Sequence, residues 1–417
     1  MLLGTHARKN SNFIWFFAHL IVPLPSKTAK NHIIVPMYAQ ESLQDILFVL
    51  LYGGITMLAV GAGFYMWLRR SNAIDPAVTP PRTLRLSTAA FFFAAALSHV
   101  WWYVLGVYWL TDDRLVRDIT AVTLDHIILV PLVMAVLLHM LQDRRRRLWP
   151  WVLTQVPIVV AAGVGIARHD EFFGFEITTF WQLSVMIVFV MYYIYALVQY
   201  GRWLHENYAD MEHKEVWQSL LFMFALFAFY EAYFTNPGEL AREYLAQAVT
   251  LVIIAFLIWR VETLQQLEPT TEENVETALT VSSENEETGS STPVTISNNL
   301  PELLGKFCED KQLYLQHDLT LQQLATAIGT NRTYLSRYFA QQGITYNVYI
   351  NRLRIYHFIR LYRESIGSLC SVKAQQLARE SGFYSYGTFS SAFKKFTGDT
   401  VTAWMKHEEA ERRKALP

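Results

Sequence analysis

The sequence predicts an all-α protein in two parts, an N-terminal seven-helix transmembrane bundle and a C-terminal all-helical soluble domain, joined by a flexible acidic linker. Three observations predict it. Hydrophobic residues make up 52% of the 417 and charged residues only 17%, against ~25% charged in ordinary soluble domains. Seven apolar windows, each near the ~20 residues that span a bilayer, fall between residues 46 and 259. After residue 300 the apolar residues return at helical spacing with charges between them. This composition excludes a small secreted scaffold, a disordered chain and a single-domain soluble enzyme. Two cysteines, Cys308 and Cys370, make no disulfide framework in a chain of this size.

Residues 1–44 come first and stand apart. Arg8 and Lys9 precede an apolar run over 13–24 that is too short to span comfortably. Two readings stay open here. One is a signal peptide without a clear small-residue cleavage site, since Pro23, Pro25 and Lys27 follow. The other is a non-native leader ahead of a functional start near Met37.

The membrane part occupies 45–260, with windows at 46–68, 87–108, 119–141, 149–166, 177–200, 216–234 and 244–259. These are apolar all round, whereas buried helices of a soluble protein keep a polar face. Orientation follows from Lys and Arg in the short connections, which favour the cytoplasm. Connections 69–86, 142–148 and 201–215 hold ten, and the alternate connections 109–118, 167–176 and 235–243 hold four. The N-terminus is therefore expected outside and everything after Trp259 in the cytoplasm. Tryptophans follow the same layout. Trp67, Trp149, Trp151, Trp203, Trp217 and Trp259 fall near inner ends, and Trp101, Trp102, Trp109 and Trp181 near outer ones.

Only two acidic residues, Asp125 and Glu231, lie inside these windows. With His99 they fall toward the outer face. Charge inside a membrane is costly and usually functional, so an outward-opening site for a small molecule or ion is one reading. A hydrogen-bonded or protonated pair holding helices together is the other. His126 and His139 are too far apart on one helix to pair on a metal, and no metal or other cofactor is expected. The run His205 to Asp210 matches an H-x4-D spacing found in some acyltransferases, but a solvated loop explains it better. No HExxH, phosphate-cradling glycine loop or GxSxG occurs, so no enzyme is indicated.

The linker, 261–299, is rich in Glu, Thr, Ser and Asn and cannot fold alone. Residues 261–300 carry eight Glu and no Lys or Arg, whereas 301–417 carry 16 Lys+Arg against 10 Asp+Glu. From 300 to 417 one pattern repeats. Leu324-Ala325, Gly329, Leu335 and Phe339 recur as Leu377-Ala378, Gly382, Phe389 and Phe393. Each copy reads as a short helix, a turn through glycine, an N-cap at Asn331 or Ser385 and a second helix. That is a helix-turn-helix unit, present twice, with a long helix over 346–363 between the copies. Leu335 and Phe339 face inward at i, i+4, so Thr333, Ser336 and Arg337 face outward. In the second copy Gly387, Ser390 and Ser391 face outward, with Lys394 and Lys395 beyond.

The stretches Leu319-Thr320-Leu321-Gln322-Gln323-Leu324-Ala325, Tyr334-Leu335-Ser336-Arg337-Tyr338-Phe339 and Ile350-Asn351-Arg352-Leu353-Arg354-Ile355 resemble the DNA-binding domain of AraC/XylS-type bacterial transcription regulators. So do Ser381-Gly382-Phe383-Tyr384-Ser385 and the run from Thr388 through Phe396 to Gly398. The resemblance implies that each second helix enters a major groove. It carries DNA contact onto Arg332, Thr333, Ser336, Arg337 and Arg354, then Tyr386, Gly387, Ser390, Ser391, Lys394 and Lys395. Two positions depart from the family pattern. Ser391 stands where Arg or Lys is common, which weakens base readout by the second unit, and Val401 replaces the usual proline. The expected function is a membrane-tethered transcription regulator, controlled by a signal sensed in the membrane domain. Its expected partners are promoter DNA, the lipid bilayer, RNA polymerase and a second copy of the chain. The alternative is a transporter or membrane receptor whose helix-turn-helix tail is a regulatory or protein-interaction module.

Overall fold

A computed structural model describes residues 43–69, 72, 78–106, 111–234, 239–267, 296–367 and 373–415. The expectations for residues 1–42, most of the acidic linker, Trp109, Cys370 and the Glu231 side chain lie outside the described residues. The described residues are helical, with a single isolated bridge between Tyr208 and Thr320 and no strand. The chain divides into two compact units, Met1–Leu197 with Val216–Pro269, and Val198–Glu215 with Thr270–Pro417.

The first unit runs through α1 (Leu43–Leu68), α2 (Arg82–Gly106), α3 (Arg114–Met140), α4 (Trp149–Leu153) and α5 (Val156–Arg168). A π-helical turn, Phe172–Glu176, leads into α6 (Ile177–Asn207), and α7 (Trp217–Phe234) and α8 (Glu239–Thr263) follow. Helix α1 packs on α2 and α8, and α3 packs on α2 and α5. Gly63 of α1 lies against Phe93 of α2, where a Cβ would meet the ring at 2.8 Å, and Ala59 and Ala62 on α1 and Ala89, Ala94 and Ala96 on α2 are buried. Large apolar side chains point the other way; Met57 and Phe180 are each 73% exposed.

Among the described residues five helical segments are long and apolar enough to cross a membrane, where the sequence led us to expect seven. They are Ile46–Leu68, Arg82–Trp101, Arg114–Met140, Trp149–Arg168 and Phe172–Asn207. The sixth and seventh windows fall on α7 and α8, whose facing ends include side chains outside the described residues. The start of the expected linker is also different. Residues 264–267 leave the helix, yet Leu264 and Leu267 are buried. The Gln266 amide donates to the Thr79 carbonyl at 2.7 Å, and the Leu267 amide to Gln142 Oε1 at 2.8 Å. The sequence allows 261–267 either as the start of the flexible linker or as a continuation of the last membrane helix. The helix continues to Thr263, and the residues after it are tied down because their apolar side chains and backbone donors both find partners.

The second unit contains the end of α6, then α9 (Ile296–Leu304), α10 (Leu321–Ile328), α11 (Arg332–Gln341), α12 (Tyr346–Gly367), α13 (Ala374–Glu380), α14 (Tyr386–Thr397) and α15 (Val401–Ala415). It has two apolar cores. The first gathers Leu304, Cys308, Leu324, Leu335 and Phe339, and the second Leu377, Phe383, Phe389, Phe393 and Val401. Helix α12 serves both, giving Tyr346, Tyr349 and Ile350 to the first and Ile355, Phe358 and Tyr362 to the second. One helix is therefore the wall between two cores, and an Arg363–Glu408 ion pair at 2.7 Å ties its end to α15.

Candidate nucleic-acid interface

Helix α10 starts with a capping box: the Thr320 side chain accepts from the Gln323 amide, and the Gln323 side chain accepts from the Thr320 amide. It stops at Gly329, whose φ of +80° a side chain would oppose. Two residues later Asn331 Oδ1 accepts from the Tyr334 amide at 2.8 Å and opens α11. The α13–α14 pair is built the same way. Gly382 has φ +89°, and a Cβ there would meet the Leu315 backbone at 2.8 Å. Ser385 Oγ then accepts from the Thr388 amide at 3.2 Å and opens α14.

These caps set which faces are free. In α11 Leu335 and Phe339 are buried, while Thr333 and Arg337 are exposed and Ser336 is half-buried. In α14 Phe389 and Phe393 are buried. Gly387, Ser391, Lys394 and Lys395 are exposed, and Ser390 is half-buried. Tyr386 is half-buried too, with its ring 5.7 Å from Phe389, so part of it is spent on packing. The α11 face thus offers a guanidinium, a hydroxyl and a methyl to a partner. The α14 face offers a hydroxyl and two ammonium groups.

One expected contact turns out otherwise, and a second is already engaged within the chain. Arg354 is wholly buried, with Nε donating to the Tyr314 carbonyl at 2.7 Å and Nη2 to those of Gln316 at 2.6 Å and His317 at 3.1 Å. Its guanidinium also lies 5.6 Å from the Phe383 ring centre. Burial pushes its pKa down. This arginine braces the 313–317 turn against α12 and cannot reach DNA. Its place on the inner face of α12, between the two cores, is what the resemblance alone did not reveal. Arg332 is half-buried, with Nε donating to Asn207 Oδ1 at 2.7 Å. Burial lowers its pKa, partly offset by Tyr208 and Glu206.

The loop containing His205 and Asp210 is not solvated, contrary to expectation. Asn207, Ala209, Asp210 and Lys214 are all buried. Ala209 belongs to the first core, and the Ala209 carbonyl accepts from Asn347 Nδ2 at 2.6 Å. A polar segment flanked by apolar windows carried no sign of this. Cys308 sits in the same core with its thiol pushed up to about 12 by burial, so it stays protonated and unreactive. Among the described residues no group of three or more His, Cys, Asp or Glu is placed to hold a metal ion.

Residues 324–407 match the family model of a helix-turn-helix domain, of the AraC type. They carry a helix-turn-helix domain. The match begins within α10, runs through α11 to α14 and ends within α15, and is a minority of the 417-residue chain. No curated protein matches the chain, and no solved structure does.

In the first unit Ser98 Oγ donates to Asp125 Oδ1 at 2.6 Å, and the Tyr52 hydroxyl donates to the His99 carbonyl at 3.1 Å. The Tyr52 and His99 rings are 4.5 Å apart. Two of the three expected ligand residues, His99 and Asp125, therefore lie in one polar cluster across α1, α2 and α3. Sequence reasoning passed over its neutral members, Tyr52 and Ser98, because only charge was used to find polar sites.

Proposed function

We propose that this protein is a membrane-tethered transcription regulator whose cytoplasmic helix-turn-helix domain binds promoter DNA in a sequence-specific manner. The observation that carries the reading is the exposed Thr333–Arg337 face of α11, seated on buried Leu335 and Phe339, within a helix-turn-helix match. An arginine on such a face can bond guanine O6 and N7 with two donors. We read α10–α11 and α13–α14 as two helix-turn-helix units joined by α12, with Arg337 the main base reader. Lys394 and Lys395 contact phosphates and carry no sequence information. The excess of 16 basic over 10 acidic residues after position 300 suits a polyanion.

Membrane tethering rests on the five candidate spans and the excess of Lys and Arg in alternate connections. An odd number of spans starting outside leaves residue 207 in the cytoplasm. Helices α7 and α8 add two crossings or none, so the domain after residue 300 is cytoplasmic either way. On the seven-span reading the membrane part, 45–260, senses a signal through the cluster of His99 and Asp125, with Glu231 of α7 as a third group. The signal shifts the population of DNA-competent domains, with a second copy and RNA polymerase as further partners. The deciding experiment is recovery of genomic DNA with the intact membrane protein, repeated with residues 301–417 deleted. Discrete enriched sites that vanish on deletion support the reading. Recovery of no specific site by the intact protein refutes it.

A further inference from the structure

Segment 205–214 does more than connect two apolar helices. It lies in the same compact unit as the DNA-binding domain, and several of its polar groups bond to that domain. Asn207 accepts from Arg332, the first residue of α11. Tyr208 bridges Thr320, the N-cap of α10. The carbonyls of Tyr208 and Ala209 accept from Asn347 at 3.3 and 2.6 Å, and Ala209 also from Asn351 at 3.4 Å. Lys214, itself buried, pairs with Asp318 at 3.3 Å. Ala209 closes the first core with 1% exposure. An unrelated loop in passing contact would not satisfy this many donors and acceptors.

The position matters because Arg332 and Thr320 mark the N-terminal ends of α11 and α10. Helix N-termini and an adjacent guanidinium are where a helical DNA reader takes hold of phosphates. The bond from Nε to Asn207 Oδ1 fixes the half-buried Arg332 side chain toward segment 205–214 and spends one of the donors that a phosphate would use. We propose that segment 205–214 is an intramolecular docking surface that holds the DNA-binding domain in a restrained state, competing with the DNA backbone for Arg332 and the start of α10. The proposal rests on the DNA-binding reading and adds its regulation. A movement of the preceding apolar helix shifts Asn207 and releases the domain, so a membrane signal reaches DNA without crossing the acidic linker. Release raises affinity by the inverse of the competent fraction.

The test uses the purified full-length protein in lipid nanodiscs and a mixed-sequence DNA duplex at low salt, because a phosphate contact acts on all sequences alike. Asn207→Ala and Asn347→Ala each loosen the clamp without touching the α11 reading face. Each is expected to bind the duplex roughly three- to tenfold tighter than wild type. A third variant guards against general damage: Lys214→Asp should also bind tighter, and Lys214→Asp with Asp318→Lys should return toward wild type. Amides 206–214 should exchange hydrogen faster when the duplex is added. Wild-type binding with no tightening in either asparagine variant, both accumulating normally, overturns the clamp and leaves the DNA-binding reading intact. Absence of binding by every form removes the DNA-binding reading and the clamp with it.

Discussion

Arg354 offers the sharpest test of the helical domain, because its burial contradicts a role at the DNA surface. In Arg354→Ala the Tyr314 carbonyl, on a buried residue, loses its donor. An unsatisfied buried acceptor costs about 1–3 kcal/mol. The carbonyls of Gln316 and His317 belong to exposed residues and recover water, so they cost little. The side chain also fills the space between α12, the 313–317 turn and Phe383, and emptying a core site of that size costs ~2–5 kcal/mol. Against this, removing a buried charge returns part of its desolvation penalty. The net loss expected is about 3 kcal/mol, a large share of the ~5–15 kcal/mol of a typical domain. Arg354→Lys should lose most of the same amount, because one ammonium group cannot reproduce the planar fork that serves three carbonyls. Cys308 supplies the assay. Its thiol is buried, so in a Cys370→Ser background a thiol-reactive dye reports opening of the first core as the full-length protein is heated or denatured. Both variants should open well before wild type. The reasoning fails if Arg354→Ala opens with wild type and loses DNA affinity alone, for then the side chain works at the surface.

Three other outcomes are expected. Arg337→Ala should cost about 1–3 kcal/mol on a specific site recovered from the genome and Ser391→Ala much less, whereas Lys394→Ala should weaken all sequences alike and flatten the salt dependence of binding; equal losses for Arg337→Ala and Ser391→Ala in a titration would mean that the reading helix is misassigned. Reporter fusions after Arg260 and within 142–148 should report cytoplasm and those within 167–176 the outer side; a C-terminal fusion outside would put promoter DNA beyond reach. Asp125→Asn and Glu231→Gln should leave membrane insertion unchanged but lock a target-promoter reporter in one state whatever the stimulus; a normal response in both would make the carboxylates structural.

The order of the chain carried much of this protein in plain view. Apolar windows of bilayer length are local, one-dimensional signals, and so are the glycine-and-cap punctuation at Gly329–Asn331 and Gly382–Ser385. The inward pairs Leu335/Phe339 and Phe389/Phe393 follow from a 3.6-residue period, which needs no partner to be read. Exposure of Thr333, Arg337, Ser391 and the lysines followed directly from it. Tertiary structure decided what periodicity cannot address. Arg354 and Arg337 are both arginines on amphipathic helices, yet α12 lies between two cores, so Arg354 is enclosed while Arg337 is exposed to solvent. Residues 264–267 and 205–214 are polar enough to pass for loops. Each is fixed by donors and acceptors far away in the chain: Thr79 and Gln142 for one, Arg332, Asn347 and Asp318 for the other. A hydrogen bond across more than a hundred residues leaves no mark on local composition. Only folding, which brings both partners out of water together, determines that the bond exists.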